Sequence, residues 1–124
     1  MESSVMKKAL QEYVDAFNQK DLERLISLFA DDASVEDPVG KPLKKGRQEI
    51  EEFYRESMSG ESKLELLAPP RGSFSNAASI TFAVHTKMEG RSARIEVTDV
   101  MTFNNDGKIS TMQAFWGPDD LRMV

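Results

Sequence analysis

The sequence predicts an α+β protein, with three N-terminal helices packed on one face of a curved, mostly antiparallel mixed sheet. Three observations carry this. Apolar residues recur at helical spacing as far as residue 58, the period changes to two from residue 62 onward, and the 124 residues suit a single domain, 1–124, with one moderate core.

The elements follow in order. Residues 3–19 set Val5, Met6, Leu10, Tyr13, Val14 and Phe17 on one helical stripe. "NQKD" breaks it, and Asp21 can cap a second helix carrying Leu22, Leu25, Ile26, Leu28 and Phe29. "ADDASVED" reads as a short strand that Pro38 ends, and "GKPLKKG" as a loop. Residues 47–58 form a third helix with Ile50, Phe53, Tyr54 and Met58 inward. "KLELLA" is a strand stopped by Pro69 and Pro70. A turn at Ser75–Asn76 opens a long strand to Met88, and "RSARIEVTDVMTF" is another. "NNDG" is a hairpin turn, and "KISTMQAFW" is the last strand.

Composition narrows the chemistry. The net charge is −5, from 21 acidic against 16 basic residues, which does not suit nonspecific nucleic-acid binding. The absence of cysteine removes disulfides, thiolate catalysis and Cys-based zinc sites, and the single histidine, His85, cannot supply a His-rich metal site. The N-terminus lacks the apolar stretch of a signal peptide, and no apolar run approaches the roughly 18 residues of a membrane helix. A cytoplasmic protein is the expectation.

Alternation along the strands exposes one anomaly. Ile95, Val97, Asp99, Met101 and Phe103 share a face, opposite Glu96, Thr98, Val100 and Thr102. A carboxyl on an apolar face is costly when ionised and tends to stay protonated. Asp99 is therefore a hydrogen-bonded core aspartate, an outward residue after a bulge, or a functional acid. Ile80, Phe82, Val84 and Met88 share a face of their strand, and Met112, Ala114 and Trp116 a face of the last. Together they make either a plain sheet core or an apolar pocket with very few polar groups. Tyr13 and Tyr54 are hydroxyls on apolar helix faces, and each is a core residue or a site residue. In "SVEDPVG", Ala33, Val35 and Asp37 alternate inward while Ser34 and Glu36 alternate outward. Pro38 ends the strand, and its peptide bond can adopt cis at little cost.

"LFADDASVEDPVG", "GRQEIEEFYRE", "IEVTDVMTF" and "GKISTMQAFW" resemble the bacterial steroid Δ5-isomerases, or ketosteroid isomerases, of the NTF2-like, SnoaL-like superfamily. The similarity runs from about Tyr13 to Trp116, and "VEDPVG" and the Asp of "VTDVMTF" are its most specific parts. The resemblance implies a conical NTF2-like barrel. It implies that Asp37 is the general base and that Tyr13 and a neutral Asp99 form the oxyanion hole; ketosteroid isomerases are the standing example of such a neutral carboxylic acid. Tyr54 matches a tyrosine that hydrogen-bonds the oxyanion-hole tyrosine. Some relatives carry a further tyrosine where this chain has Phe29, which shortens the hydroxyl chain by one link. Trp116 matches a tryptophan that reaches the base in some members. Phe82, Val84, Val97 and Met112 match substrate-binding positions.

The implied reaction moves the double bond of a 3-oxo-Δ5-steroid to the conjugated Δ4 position. One carboxylate takes a proton from the carbon between ketone and alkene and returns it two carbons along. Two neutral donors stabilise the dienolate oxygen in a dry site. No cofactor or metal is required. The resemblance also implies a homodimer through the outer face of the sheet, at Thr111, Gln113 and Phe115, a steroid as ligand, and no nucleic-acid or membrane partner. Two other readings stay open: another NTF2-like enzyme, of polyketide cyclase or epoxide hydrolase type, and a noncatalytic carrier of hydrophobic ligands.

Overall fold

A computed structural model describes residues 1–124. The order is α1 (Ser3–Asn18), α2 (Leu22–Ile26), β1 (Phe29–Glu36), β2 (Lys44–Lys45), α3 (Gly46–Ser57), β3 (Lys63–Leu66), β4 (Ala77–Met88), β5 (Arg91–Phe103), β6 (Ile109–Phe115), a 3₁₀ turn (Pro118–Asp120) and β7 (Leu121–Met123). All seven strands belong to one mixed sheet of order β2-β1-β6-β5-β4-β3, with β7 on the free edge of the first half of β5. Pairing is antiparallel except between β1 and β6.

The helices cover one face of this sheet. Met6, Leu10, Tyr13, Val14 and Phe17 of α1 are buried, as are Ile50 and Tyr54 of α3. On β5 the alternation holds: Val97, Asp99, Met101 and Phe103 are buried. Asp37 follows β1 and Leu64 lies on β3, with β6, β5 and β4 between those strands, yet both line one cavity. In a flat sheet they would lie roughly 19 Å apart. The sheet therefore curls strongly around the helices. It does not close into a barrel, since β2 and β3 remain edges.

Several local expectations are corrected. Helix two is shorter than its apolar spacing suggested. Asp21 caps it, accepting from the Arg24 N–H at 3.2 Å, but the helix ends at Ile26. Phe29 instead opens β1 opposite Ile109, and the Ile109 N–H donates to the Leu28 carbonyl. Pairing with the last long strand overrides a helical spacing that continued for three more residues. The loop before α3 contains β2, because Lys44 and Lys45 pair with Val35 and Ser34. β7 was also unforeseen; its three residues pair with Ala93–Ile95. Val5 and Met88 are about half-exposed rather than inward: Val5 sits in the first turn of α1, and Met88 at the hairpin end of β4. The β4–β5 hairpin turns at Glu89 and Gly90, both with positive φ (52° and 77°), as a tight two-residue hairpin requires.

Candidate active site

A cavity of about 260 Å³ lies between the helices and the inner face of the sheet. Tyr13, Phe17, Tyr54, Leu64, Phe82, Val97 and Asp99 form its buried wall, while Ile95, Val84, Ser62 and Trp116 at its rim are part-exposed. Its volume falls just below the usual range for small-ligand pockets, so a larger flat ligand would protrude past the rim.

Asp99 sits mid-strand in β5, with Ile80 of β4 on one side and Ala114 of β6 on the other, both buried. It is the one buried charged-type residue of the molecule, at 2% exposure. Its Oδ2 has no hydrogen-bond partner. A buried carboxylate oxygen without a donor disfavours the charged form. Burial pushes the Asp99 pKa well above the usual carboxylate range, and the charge of Asp37 pushes it the same way. Both effects favour the protonated acid.

Tyr13 on α1 and Tyr54 on α3 meet through their hydroxyls at 2.8 Å, with rings edge to face at 5.8 Å. Phe53 and Phe29 pack against Tyr54, with centroids at 5.0 and 5.6 Å. Phe29 has no hydroxyl, so the chain of hydroxyls ends at Tyr54. Burial raises the pKa of both phenols well above their ordinary value, above all through lost hydration. Both are neutral O–H groups at any ordinary pH.

Asp37 has different surroundings. It follows the last residue of β1 and precedes Pro38 through a cis peptide bond. Val39 N–H then donates to the Ala114 carbonyl at 2.8 Å, tying the turn to β6. Glu36 points the other way, where its carboxylate accepts from the Gly40 N–H and the Gln113 amide. Adjacent carboxylates thus divide the work: Glu36 holds the turn from outside, and Asp37 lines the cavity. The Trp116 indole N–H donates to Asp37 Oδ1 at 3.2 Å. Partial burial raises the Asp37 pKa, and the indole hydrogen bond opposes the rise.

Of the residues singled out in the sequence, Tyr13, Asp37, Asp99, Tyr54, Trp116, Phe82, Val84 and Val97 line this one cavity. Met112 does not. It is buried opposite Met101, one inward pair further from the rim than Asp99 and Ala114, and packs in the core behind them. Phe17, Phe53, Leu64, Ile95, Ser57 and Ser62 also line the cavity and were not singled out. Alternation marks Ile95 as inward, but nothing in a sequence says how far the helices stand off the sheet.

A larger surface groove of about 1120 Å³ crosses α2, β1 and α3. Two ion pairs cross it, Arg47 with Asp31 at 2.9 Å and Arg55 with Glu51 at 2.8 Å, and it holds no buried titratable group. It is relief on the surface. No cluster of three or more His, Asp or Glu side chains is placed to hold a metal ion. No helix is long and apolar enough to cross a membrane.

Residues 10–112 match the SnoaL-like domain family. The chain is 39% identical over 119 residues to a steroid Delta-isomerase of Nocardioides simplex, covering 96% of this chain and 95% of that protein. Among solved structures it resembles SalBIII, an epoxide hydrolase/cyclase-like enzyme of pyran ring formation in the polyether salinomycin. The TM-score is 0.85 and the identity 27%, over 96% of this chain and 95% of that one. The chain therefore belongs to the SnoaL-like, NTF2-like family and is a homologue of a steroid Delta-isomerase.

Proposed function

We propose that this protein isomerises 3-oxo-Δ5-steroids to their conjugated Δ4 isomers without a cofactor. The observation that carries the reading is the buried, unpartnered Asp99 in the same apolar cavity as a hydrogen-bonded, part-exposed Asp37. One group is a proton donor with nothing to donate to, and the other is a carboxylate with lone pairs to spare.

Asp37 takes the proton from the carbon between ketone and alkene. The electron pair moves into the ring system and collects on the ketone oxygen. Tyr13 and Asp99 donate to that oxygen, and both strengthen as its charge grows. Tyr54 acts through Tyr13: when Tyr13 donates to substrate, its oxygen accepts from the Tyr54 hydroxyl. Asp37 then returns its proton two carbons along, and the conjugated enone leaves. The Trp116 hydrogen bond favours the Asp37 anion against the effect of burial and steadies its direction. Absorbance of the conjugated enone after addition of 5-androstene-3,17-dione tests the reading. Catalysed growth is expected, and tight binding without growth would make the protein a carrier.

The likeness to SalBIII favours a second reading, since an acid and a base across an apolar cavity can also open an epoxide onto a hydroxyl. The higher identity to a steroid Delta-isomerase puts isomerisation first. A hydroxy-epoxide offered in place of the steroid would close to an ether only under the second reading.

The same proposal includes a homodimer in the cytoplasm, joined through the outer face of the sheet. Phe115 is 46% exposed there beside Gln113 and Thr111. Light scattering that found a monomer would remove this part alone.

A further inference from the structure

The inner face of β4 carries Ile80, Phe82, Val84 and Thr86 in turn. Ile80 is the register partner of Asp99, so the row runs from the acid end of the cavity outward. Thr86 lies six residues beyond Ile80, roughly 20 Å along the strand. Between them the wall is Phe82, Val84, Val97 and Ile95. The pairing of Lys63 with His85 and Leu64 with Val84 brings Ser62 beside Thr86. Their hydroxyl oxygens are 2.7 Å apart, and Ser62 lines the cavity at its rim.

Two hydroxyls together hold two O–H donors and four lone pairs. The bond between them uses one of each. One O–H and three lone pairs remain, enough to donate to a ketone or accept from an alcohol. Ser57 also lines the cavity, but its hydroxyl is committed to the Phe53 carbonyl at 2.8 Å and has no donor left.

We propose that Ser62 and Thr86 form a second polar recognition point, which binds an oxygen on the end of a flat hydrophobic ligand remote from its reacting ketone. The proposal rests on the isomerase reading for the placing of that ketone at Tyr13 and Asp99. It adds which residues would read the far end of that steroid. The polar pair fixes which end of the ligand enters first. A ligand inserted backwards would bring a saturated ring to Asp99. One without the remote oxygen displaces water from Ser62 and Thr86 and returns nothing.

Calorimetric binding of estrone and 17-deoxyestrone to the intact protein tests this without turnover. These phenols engage the Tyr13 and Asp99 end alike and differ only in the remote oxygen. Wild type is expected to bind estrone about two- to tenfold tighter, the range of one net neutral hydrogen bond. In Ser62→Ala/Thr86→Val the ratio of the two affinities should fall to near one. Both hydroxyls are removed so that no part of the pair remains; Ser62→Ala alone should lower the ratio part of the way, because Ser62 is the one that lines the cavity. A wild-type ratio near one, or a ratio kept by the double variant, overturns the proposal while leaving the isomerase reading intact. If neither phenol binds wild type, both fall. Should the double variant fail to fold by circular dichroism, Ser62→Ala must lower the ratio by itself for the proposal to stand.

Discussion

Asp37 and Asp99 are the same side chain in the same cavity, and their surroundings treat a charge on them differently. Asp99 lies mid-strand between Ile80 and Ala114, with an oxygen that no donor reaches. Asp37 lies past the end of a strand, part-exposed, with an indole N–H on one oxygen. Burial raises both pKa values, but only Asp37 has a hydrogen bond that opposes the rise. The charge of Asp37 also pushes the Asp99 pKa up, so ionisation of one favours protonation of the other. In the proposed reaction, position along a strand would assign acid and base: the middle of a strand desolvates, and the end is part-exposed and meets a side-chain donor.

The sharpest way to break this comparison is Asp37→Asn. It keeps size and polarity but cannot accept a proton. Turnover should fall on the order of a thousandfold or more, while phenolic steroids bind no worse. Near-normal turnover would end the assignment of Asp37 as base. Next in size is Tyr13→Phe, which removes the partner donor of Asp99 and keeps the ring packed on Tyr54. Losing one such donor costs roughly 10²–10³ in turnover. Tyr54→Phe should cost less, because Tyr54 acts through Tyr13; the reverse order would exchange the two roles.

Asp99→Asn sharpens the comparison through stability. The folded pKa of Asp99 is raised above the unfolded value of about 3.9. Above pH 4 the unfolded chain therefore binds fewer protons at this site than the native one. This site's contribution to stability is full below pH 4 and declines as pH rises toward the folded pKa, by about 1.4 kcal/mol per unit. The asparagine variant has no such titration, so it should gain on wild type in urea melts as pH climbs from 5 to 8. A constant difference across those melts would mean that Asp99 is not a neutral donor. The smallest effect belongs to Trp116→Phe. Removing the indole donor raises the Asp37 pKa further, so the acid limb of kcat/KM should move to higher pH while the plateau above it stays close to wild type. An unmoved limb would mean that the indole does not stabilise the Asp37 anion.

Asp99 was legible because period-two alternation over thirteen residues of β5 leaves little freedom in which face a side chain takes. Asp37 and Glu36 were legible for the same reason, with Pro38 marking where alternation stops. The misreadings cluster where long-range pairing decides. Phe29 fits a helical spacing as well as a strand start, and only Ile109 resolves it. The two residues of β2 and the three of β7 are too short to carry a period. Met112 has the parity of a cavity residue, but parity gives a face and not a depth. Ser62 has no signal of its own, since its place at the rim follows from how β3 registers on β4.

The parallel pairing of β1 with β6 joins Ser34–Glu36 to Thr111–Gln113, and the indole bond to Asp37 spans 79 positions of chain. Across the cavity, Ile80 and Asp99 belong to one hairpin and the Tyr13–Tyr54 bond spans 41 positions. Closing a longer loop costs more chain entropy, and contacts between distant segments form late. During synthesis, a chain that has emerged only as far as Asn104 already holds Tyr13, Asp37, Tyr54 and Asp99, yet lacks Ala114 and Trp116, which tie down the turn at Asp37. The last long strand thus fixes the direction of a side chain made long before it.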